Sequence, residues 1–245
     1  MAMQTQRVEI PVGDQTMGGY LARPEGDHPL PAVIVYMEIF GVNSHIREVT
    51  ERIASEGYVA IAPDYFHRTG PGVEYGYDDD GMAAGMKLLG ALDAEEMIAD
   101  ARATLDYLRA RPDVNGAKVG AMGFCIGGHM TYLTACETDV AAAASYYGGG
   151  IAAPAGPGGG ASTVSRSSKI QGQLVCFFGG QDLLIPSAQV DEIHAALQDA
   201  ERRYEIVIYD EADHGFNCDQ RGSYHDESAK DAWDRTKKLF AQALR

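Results

Sequence analysis

The chain has 245 residues, with 20 Lys and Arg against 35 Asp and Glu, which gives a formal net charge of −15 at pH 7. A surface this acidic repels phosphate backbones and anionic lipid headgroups, so the charge argues against binding to nucleic acid and to membranes. Hydrophobic residues make up 45% of the chain, enough to bury a sizeable core, and α/β proteins of this length are often one domain. We therefore expect a single domain over residues 1–245.

Neither a leader segment nor a membrane span is predicted. The N-terminal MAMQTQRVEIPVG has no apolar stretch behind a basic one, so we expect a cytoplasmic protein. The uncharged run Val140–Ser165 is long, but it consists mainly of Ala, Gly, Pro and Ser, which does not suit a span. Four cysteines without CxxC spacing argue against a disulfide scaffold and a zinc ribbon, and we predict no metal and no cofactor: Cys125, Cys136, Cys176 and Cys218.

In chain order, the first predicted elements are strands. Arg7–Val12 and Gly19–Arg23 flank the turn-like Gly13–Asp14, which predicts an antiparallel hairpin. Ala32–Tyr36 is a continuous apolar run of the kind found in a strand that is buried on both faces. Tyr58–Ala62 is the next strand of this type.

Helical patterns follow these strands. One helix is expected to be capped by Ser44 and to end at Gly57. Thr69–Gly90 is Gly-rich and acidic, which predicts a long loop, either a lid or a solvated insertion. After it, Asp93 and Glu96 form a capping-box pattern at the start of an amphipathic helix.

The remaining chain alternates strands with helices. Elements of this kind pair in parallel through right-handed crossovers, so we predict one three-layer α/β domain with a mostly parallel central sheet and the N-terminal hairpin. Gly148–Lys169 is Gly/Pro/Ser-rich and is expected to be a loop within it. The predicted strands are Lys118–Met122, Val140–Tyr146, Gln173–Phe178 and Tyr204–Tyr209, and the helices are Gly127–Ala135, Pro186–Ala200 and Ser228–Leu244.

The sharpest chemical signal is GFCIGG at Gly123–Gly128, where a strand gives way to a helix. This is the G-x-S-x-G nucleophile elbow with Cys125 in the Ser position. Gly123 and Gly127 supply the small residues that such a tight turn needs, and the Ile126 amide at the helix start can donate to an oxyanion. The alternative is a buried Cys in a Gly-rich turn.

A catalytic thiol at its ordinary pKa needs a base nearby, because only a few per cent of it is thiolate at neutral pH. In a nucleophile-acid-His order, each partner follows the end of a later strand. Asp182 follows Gln173–Phe178, and His214 follows Tyr204–Tyr209, so both fit. The other histidines are expected to be structural or to lie at the surface, with one of them bordering the pocket: His28, His45, His67, His129, His194 and, at the pocket, His225.

Glu38 leaves the sheet directly after strand Ala32–Tyr36, at the place where a second oxyanion donor is built. The Ile39 amide can be that donor. A carboxylate beside a developing oxyanion is unfavourable unless it has a role, so we hypothesise that Glu38 contacts the Cys125 thiol and controls its protonation. The alternative is a solvated loop carboxylate.

Three separated motifs resemble the dienelactone hydrolase (carboxymethylenebutenolidase) family: MEIFGVN at Met37–Asn43, GFCIGG at Gly123–Gly128 and DHGF at Asp213–Phe216. The resemblance extends along essentially the whole chain. It implies an α/β-hydrolase fold, a Cys-Asp-His triad and a fourth residue that holds the thiol, with two backbone amides as the oxyanion hole. These fall on Cys125, Asp182 and His214, on Glu38, and on the amides of Ile39 and Ile126.

The sequence departs from this family where family members that act on dienelactone hold its carboxylate with arginines. Cys218 stands four residues after His214, and Thr69–Met86 contains no basic residue. Arg221 is the candidate replacement, with a surface Arg as the alternative. The pocket lining is expected to include Tyr146, Tyr147 and Tyr224. Together with the charge of −15, this favours neutral esters or lactones over dienelactone.

We therefore predict a hydrolase of small carboxylic esters or lactones that works through a thioester acyl-enzyme on Cys125. One alternative is a thiol redox protein in which Cys125 and Cys218 form a reversible disulfide. Another is a non-catalytic binding protein for small molecules on a hydrolase scaffold. The sequence makes no prediction of oligomeric state.

Overall fold

The computed structural model describes residues 2–26 and 28–245. Within them, eight strands form one sheet in the order β1-β2-β4-β3-β5-β6-β7-β8. The first two strands pair as the predicted antiparallel hairpin, β2 pairs antiparallel with β4, and the pairings from β4 through β8 are parallel. The strands are β1 Met3–Val12, β2 Gln15–Pro24, β3 Leu30–Tyr36, β4 Val59–Pro63, β5 Val114–Phe124, β6 Ala142–Tyr146, β7 Gln173–Gly179 and β8 Tyr204–Tyr209.

Helices cover both faces of the sheet, as the three-layer prediction required. On one face, α1 and α6 pack together, with the Arg52 guanidinium 4.0 Å from the Trp233 ring centroid. On the other face, α3 and α4 contact each other. The central strands β4 and β6 are buried at every residue because they are covered on both sides. The helices are α1 Ser44–Ser55, α2 Asp79–Leu89, α3 Ala94–Arg109, α4 Ile126–Glu137, α5 Ser187–Asp199 and α6 Asp226–Leu244.

The predicted loop over Thr69–Gly90 was wrong in its second half, where α2 forms. The Asp78 side chain caps this helix by accepting a hydrogen bond of 2.8 Å from the Gly81 amide. Asp79 and Asp80 occupy the first turn, where negative charge is favourable to the helix dipole. The acidic run is therefore a helix start, and a loop is the wrong interpretation of it.

Two smaller corrections concern local structure. Asn43, and not Ser44, caps α1, because its side-chain oxygen accepts from the Ile46 amide at 3.3 Å. The predicted loop Gly148–Lys169 contains two short 3-10 helices, Pro157–Gly159 and Thr163–Lys169.

Within the described part of the chain, no helix combines the length and the hydropathy that crossing a bilayer requires.

The parallel strands bring the predicted site residues to one edge of the sheet. The segments after β3, β5, β7 and β8 carry Glu38, Cys125, Asp182 and His214, respectively. Residues more than 170 positions apart in the chain, such as Glu38 and His214, thereby reach the same edge. This is the carboxyl edge, where ligands bind in open α/β sheets.

Candidate active site

Cys125 lies at the turn between β5 and α4, in a strained backbone conformation. Its φ is 57° and its ψ is −120°, a region that residues other than Gly rarely adopt. Its amide donates to the carbonyl oxygen of Tyr146 at 3.1 Å, which ties the turn to β6. The Cys125 side chain is partly exposed, whereas the three other cysteines are buried. The turn therefore presents this thiol, and not the others, to a substrate.

The glycines on either side allow this turn to form. A Cβ atom at Gly123 would lie 2.3 Å from the carbonyl oxygen of Gly127. A Cβ atom at Gly127 would lie 2.4 Å from the carbonyl oxygens of Tyr36 and Met37. Both approaches are too close for any side chain, so the turn packs against β3 only because these positions are Gly.

His214 and Asp182 form a buried hydrogen-bonded pair. The Nδ1–H of His214 donates to Oδ2 of Asp182 at 2.7 Å, and Oδ1 of Asp182 accepts from the Leu184 amide at 2.8 Å. The two residues are 8% and 5% exposed, respectively. The carboxylate binds the proton on Nδ1 and leaves Nε2 as the nitrogen available to a substrate. Nε2 is buried without a hydrogen-bond partner among the described residues.

The surroundings of His214 raise its pKa from the ordinary 6.5 to about 10. Burial lowers this pKa, but the hydrogen bond to Asp182 and the nearby Cys125 raise it by more. Since Cys125 is one of the groups that raise the pKa of His214, and Asp182 occupies Nδ1, we infer that the thiol lies on the Nε2 side of the ring. At neutral pH, His214 therefore carries a proton that it can give to a leaving group.

This pKa predicts how stability depends on pH. The folded value of about 10 exceeds the ordinary 6.5, so the proton on His214 stabilises the fold fully below about pH 6.5 and ceases to do so as the pH rises through 10. In urea titrations between pH 7 and 10.5, the wild type is expected to lose more unfolding free energy than His214→Gln. Equal losses in the two proteins would contradict the raised pKa.

Glu38 is buried at the edge of this site, where it is paired with Arg221. Nη1 of Arg221 donates to Oε1 of Glu38 at 3.0 Å, and Oε2 of Glu38 is buried without a hydrogen-bond partner within residues 2–26 and 28–245. Arg221 is therefore not the free anion clamp that the sequence suggested, nor is Glu38 a solvated carboxylate. The hypothesised contact between Glu38 and the Cys125 thiol stays a prediction.

Two aromatic rings that the sequence did not predict for the site hold Arg221 in place. The guanidinium lies 5.7 Å from the ring centroid of Phe40 and 5.5 Å from that of Tyr77, and the two rings meet edge to face at 4.6 Å. Asn43 fixes Tyr77 by donating to its hydroxyl at 3.2 Å. Phe40 could have been found from its place two residues after Glu38, but Tyr77 lay in a segment interpreted as a loop.

The three predicted pocket tyrosines lie in different places. Tyr147 joins the site, since its ring lies 5.1 Å from that of His214 and its hydroxyl is buried without a partner among the described residues. Tyr146 does not, because its hydroxyl is bonded to Thr236 at 2.7 Å within the core. Tyr224 is exposed, and its hydroxyl donates to Asp226 at 3.0 Å. Tyr146 is therefore a core residue, whereas a place for Tyr224 in the pocket lining stays a prediction.

The two amides predicted to form the oxyanion hole lie in segments next to Cys125. Ile126 is the first residue of α4, so its amide is one of the unpaired N–H groups that open a helix. Ile39 lies in the segment after β3, the strand that pairs with β5. Both amides therefore belong to segments beside Cys125.

His129, one turn into α4, is structural as expected. Its two ring nitrogens are bonded to the Gly149 carbonyl at 2.9 Å and to the Thr163 hydroxyl at 2.7 Å. Burial lowers its pKa to about 4, so it stays neutral and has no nitrogen free for catalysis. Among the described residues, no group of three or more His, Cys, Asp or Glu side chains is placed to hold a metal ion.

Comparisons with known proteins agree with these observations. The model of the dienelactone hydrolase family matches residues 17–244. A Synechocystis protein provisionally named carboxymethylenebutenolidase is 46% identical over 99% of this chain and 98% of its own. An Escherichia coli protein with the same provisional name is 36% identical over 95% of this chain and 85% of its own. The crystal structure of a provisionally named dienelactone hydrolase from Klebsiella pneumoniae has a TM-score of 0.90 at 36% identity and covers 99% of this chain and 100% of its own.

Proposed function

The chain belongs to the dienelactone hydrolase family of carboxylic ester hydrolases, and from this membership we propose that it hydrolyses small esters or lactones through a thioester on Cys125. The observation that carries the proposal is the buried Asp182–His214 hydrogen bond of 2.7 Å on the same sheet edge as the strained Cys125 turn. A nucleophile, a base and a group that orients the base are the three parts that acyl transfer requires.

In the first half-reaction, the Cys125 thiolate attacks the carbonyl carbon of the substrate. The negative charge that develops on the carbonyl oxygen is stabilised by the amides of Ile39 and Ile126. As the carbon–oxygen bond to the alcohol breaks, His214 donates its Nε2 proton to the leaving oxygen. The raised pKa of His214 means that this proton is present at neutral pH.

In the second half-reaction, water hydrolyses the thioester. His214, now neutral, removes a proton from the water while Asp182 keeps the ring oriented. The hydroxyl adds to the thioester carbon, the carbon–sulfur bond breaks, and the carboxylic acid leaves. The released Cys125 thiolate takes back the proton that Glu38 holds, which restores both residues. The pair of half-reactions consumes one water and needs no redox partner.

Glu38 is the proposed acceptor of the thiol proton. Its Oε2 atom is a buried carboxylate oxygen without a partner among the described residues, and such an atom is costly unless it binds something during the reaction. Arg221 holds the other oxygen and thereby positions the carboxylate. The proton then passes from the thiol to Oε2 when substrate arrives.

The raised pKa of the Cys218 thiol argues against the alternative of a redox protein. Burial, and then the nearby Glu38, raise the pKa of this thiol to about 12. Thiol exchange requires a thiolate, and a group with this pKa supplies almost none at neutral pH.

The proposal predicts an acyl group on Cys125 during turnover. Rapid acid quenching of the wild type with a slow ester, followed by intact-mass and peptide analysis, should show the mass of the acyl group on the peptide that contains Cys125. Glu38→Gln should accumulate the adduct more slowly, because the thiol loses its proton acceptor. Hydrolysis without any adduct on Cys125 would mean that the thioester mechanism is wrong.

A further inference from the structure

Exposed apolar side chains are concentrated beside the candidate site. Among the described residues, six large apolar side chains are more than a third exposed, and four of them lie on two segments that adjoin the catalytic residues. Leu183 and Leu184, 92% and 69% exposed, form what we call the leucine patch. Met82 and Met86, 39% and 52% exposed, form the methionine patch. Large apolar groups in water are unfavourable, and their grouping at one site indicates a ligand.

The leucine patch is fixed to the catalytic pair. Leu184 donates its amide to Oδ1 of Asp182, whose other oxygen binds His214. The next residue, Ile185, is buried, and a Cβ atom at Gly149 in the segment after β6 would lie 3.9 Å from its Cγ1 atom. This anchoring leaves the two leucine side chains exposed on the segment that carries Asp182, the partner of His214.

The methionine patch is fixed to the predicted oxyanion hole. Helix α2 packs so closely on Ile39 that a Cβ atom at Gly85 would lie 2.5 Å from the Ile39 carbonyl oxygen. Met82 and Met86 are four residues apart and therefore lie on one side of this helix, next to the face that Gly81 and Gly85 bury. The helix thus carries the two methionines to the edge of the oxyanion segment.

The strand order places the two patches on opposite sides of Cys125. In the sheet, β5 lies between β3 and β6, and β7 follows β6. The Ile39 segment with the methionine patch leaves β3, and the leucine patch leaves β7. The segments that carry the two patches therefore flank the Cys125 turn.

We propose that the two patches bind the two halves of a neutral, apolar ester or lactone. The alcohol half lies against the leucine patch, because its oxygen must reach His214, and the acyl half lies against the methionine patch. Asp79 and Asp80 in the first turn of α2 repel an anionic acyl group, and Arg221 is already bound to Glu38. This assignment of substrate rests on the proposed function.

The test uses two series of esters. Ethyl esters of two- to six-carbon acids vary the acyl half, and acetates of two- to six-carbon alcohols vary the alcohol half. In the wild type, kcat/KM should rise about threefold per methylene in each series, since a fully buried methylene contributes about fourfold. The double variant Leu183→Asn/Leu184→Asn should remove the rise in kcat/KM with the length of the alcohol. The double variant Met82→Gln/Met86→Gln should remove the rise with the length of the acid.

Controls separate the possible failures. Ile208→Asn removes a comparably exposed side chain, 52% exposed on edge strand β8, and should leave both slopes unchanged.

If Cys125→Ala hydrolyses the esters as fast as the wild type, the proposed function has failed. Three outcomes with an inactive Cys125→Ala overturn the patch assignment alone. In the first, kcat/KM of the wild type does not rise with chain length. In the others, a patch variant keeps the wild-type rise, or it loses the rise in the series assigned to the other patch. A wild-type dimer in light scattering that dissociates in either patch variant would show that the patches bind a second copy, which also overturns it.

Discussion

Replacing Cys125 by Ala is expected to lower kcat/KM for every accepted ester or lactone by about ten-thousandfold or more. Without the sulfur atom, no thioester forms, and the oxyanion amides can at best assist direct attack by water. Ala carries the same Cβ atom as Cys, so the substitution adds no backbone strain at this positive φ, and the turn and its amides are retained. Initial rates over a panel of esters and lactones measure the effect.

Cys136→Ala is the matched control for this substitution. Cys136 is a buried thiol in α4, the same helix that Cys125 precedes, and burial raises its pKa to about 12. Its removal tests whether losing any thiol from this region disturbs the enzyme. We expect its kcat/KM to stay within a few-fold of the wild type. Wild-type turnover by Cys125→Ala on every substrate would refute the proposed nucleophile.

Asp182→Asn is expected to lower kcat by about ten-thousandfold, with a much smaller change in KM. An amide at this position can present its NH₂ group to Nδ1, which keeps the proton of the neutral ring on Nε2, so that His214 has no basic nitrogen with which to activate water at the thioester. Loss of the carboxylate also lowers the pKa of His214, since the hydrogen bond to Asp182 is one of the causes of its rise. Steady-state kinetics and an NMR titration of the His214 ring give the two readouts.

Asp213→Asn supplies the matched control for this second substitution. Asp213 is a neighbouring acid, but it accepts from the backbone amide of His214 at 2.6 Å and not from the ring. An Asn side chain can still accept that hydrogen bond, so kcat and the pKa of His214 should both stay near wild type. If the two variants lost activity equally, negative charge near His214, and not orientation by Asp182, would be the relevant factor.

The sequence predicted that the three proposed catalytic residues would reach one edge of the sheet, because parallel strands leave little freedom. Once β5, β7 and β8 were recognised as strands of one parallel sheet, the segments after them had to meet at its carboxyl edge. Cys125, Asp182 and His214 lie within five residues of the ends of those strands. Their meeting depends on topology and not on details of side-chain packing.

Side-chain direction was harder to predict, as Tyr146 and Tyr147 illustrate. Adjacent residues near the end of a strand point to opposite sides, so two neighbouring tyrosines cannot both line one pocket. Tyr146, the last residue of β6, turns toward α6 and bonds Thr236, while Tyr147 leaves the strand with a φ of 37° and meets His214. Knowing which face α6 covers was necessary to choose between them.

The partner of Arg221 could not be predicted either. Glu38 and Arg221 are 183 positions apart, and of the two aromatic rings beside Arg221 one, Phe40, follows Glu38 while the other, Tyr77, comes from a third segment. Long-range ion pairs depend on the packing of several loops, which carries no periodic signal in the sequence. The helix over Asp79–Leu89 was missed for a different reason, because its Gly and Asp residues are weak helix formers and its capping residue Asp78 lies within an acidic run.

Because Cys125 has a positive φ, the residue that provides the reactive thiol also lowers the stability of the folded protein. Gly tolerates φ of 57° without steric penalty, whereas a residue with a Cβ atom loses about 1–3 kcal/mol there. Selection for heat resistance alone would therefore favour Gly at position 125 and would enrich proteins that no longer carry the thiol. Directed evolution of this enzyme for hot conditions should keep codon 125 fixed and diversify positions away from the elbow.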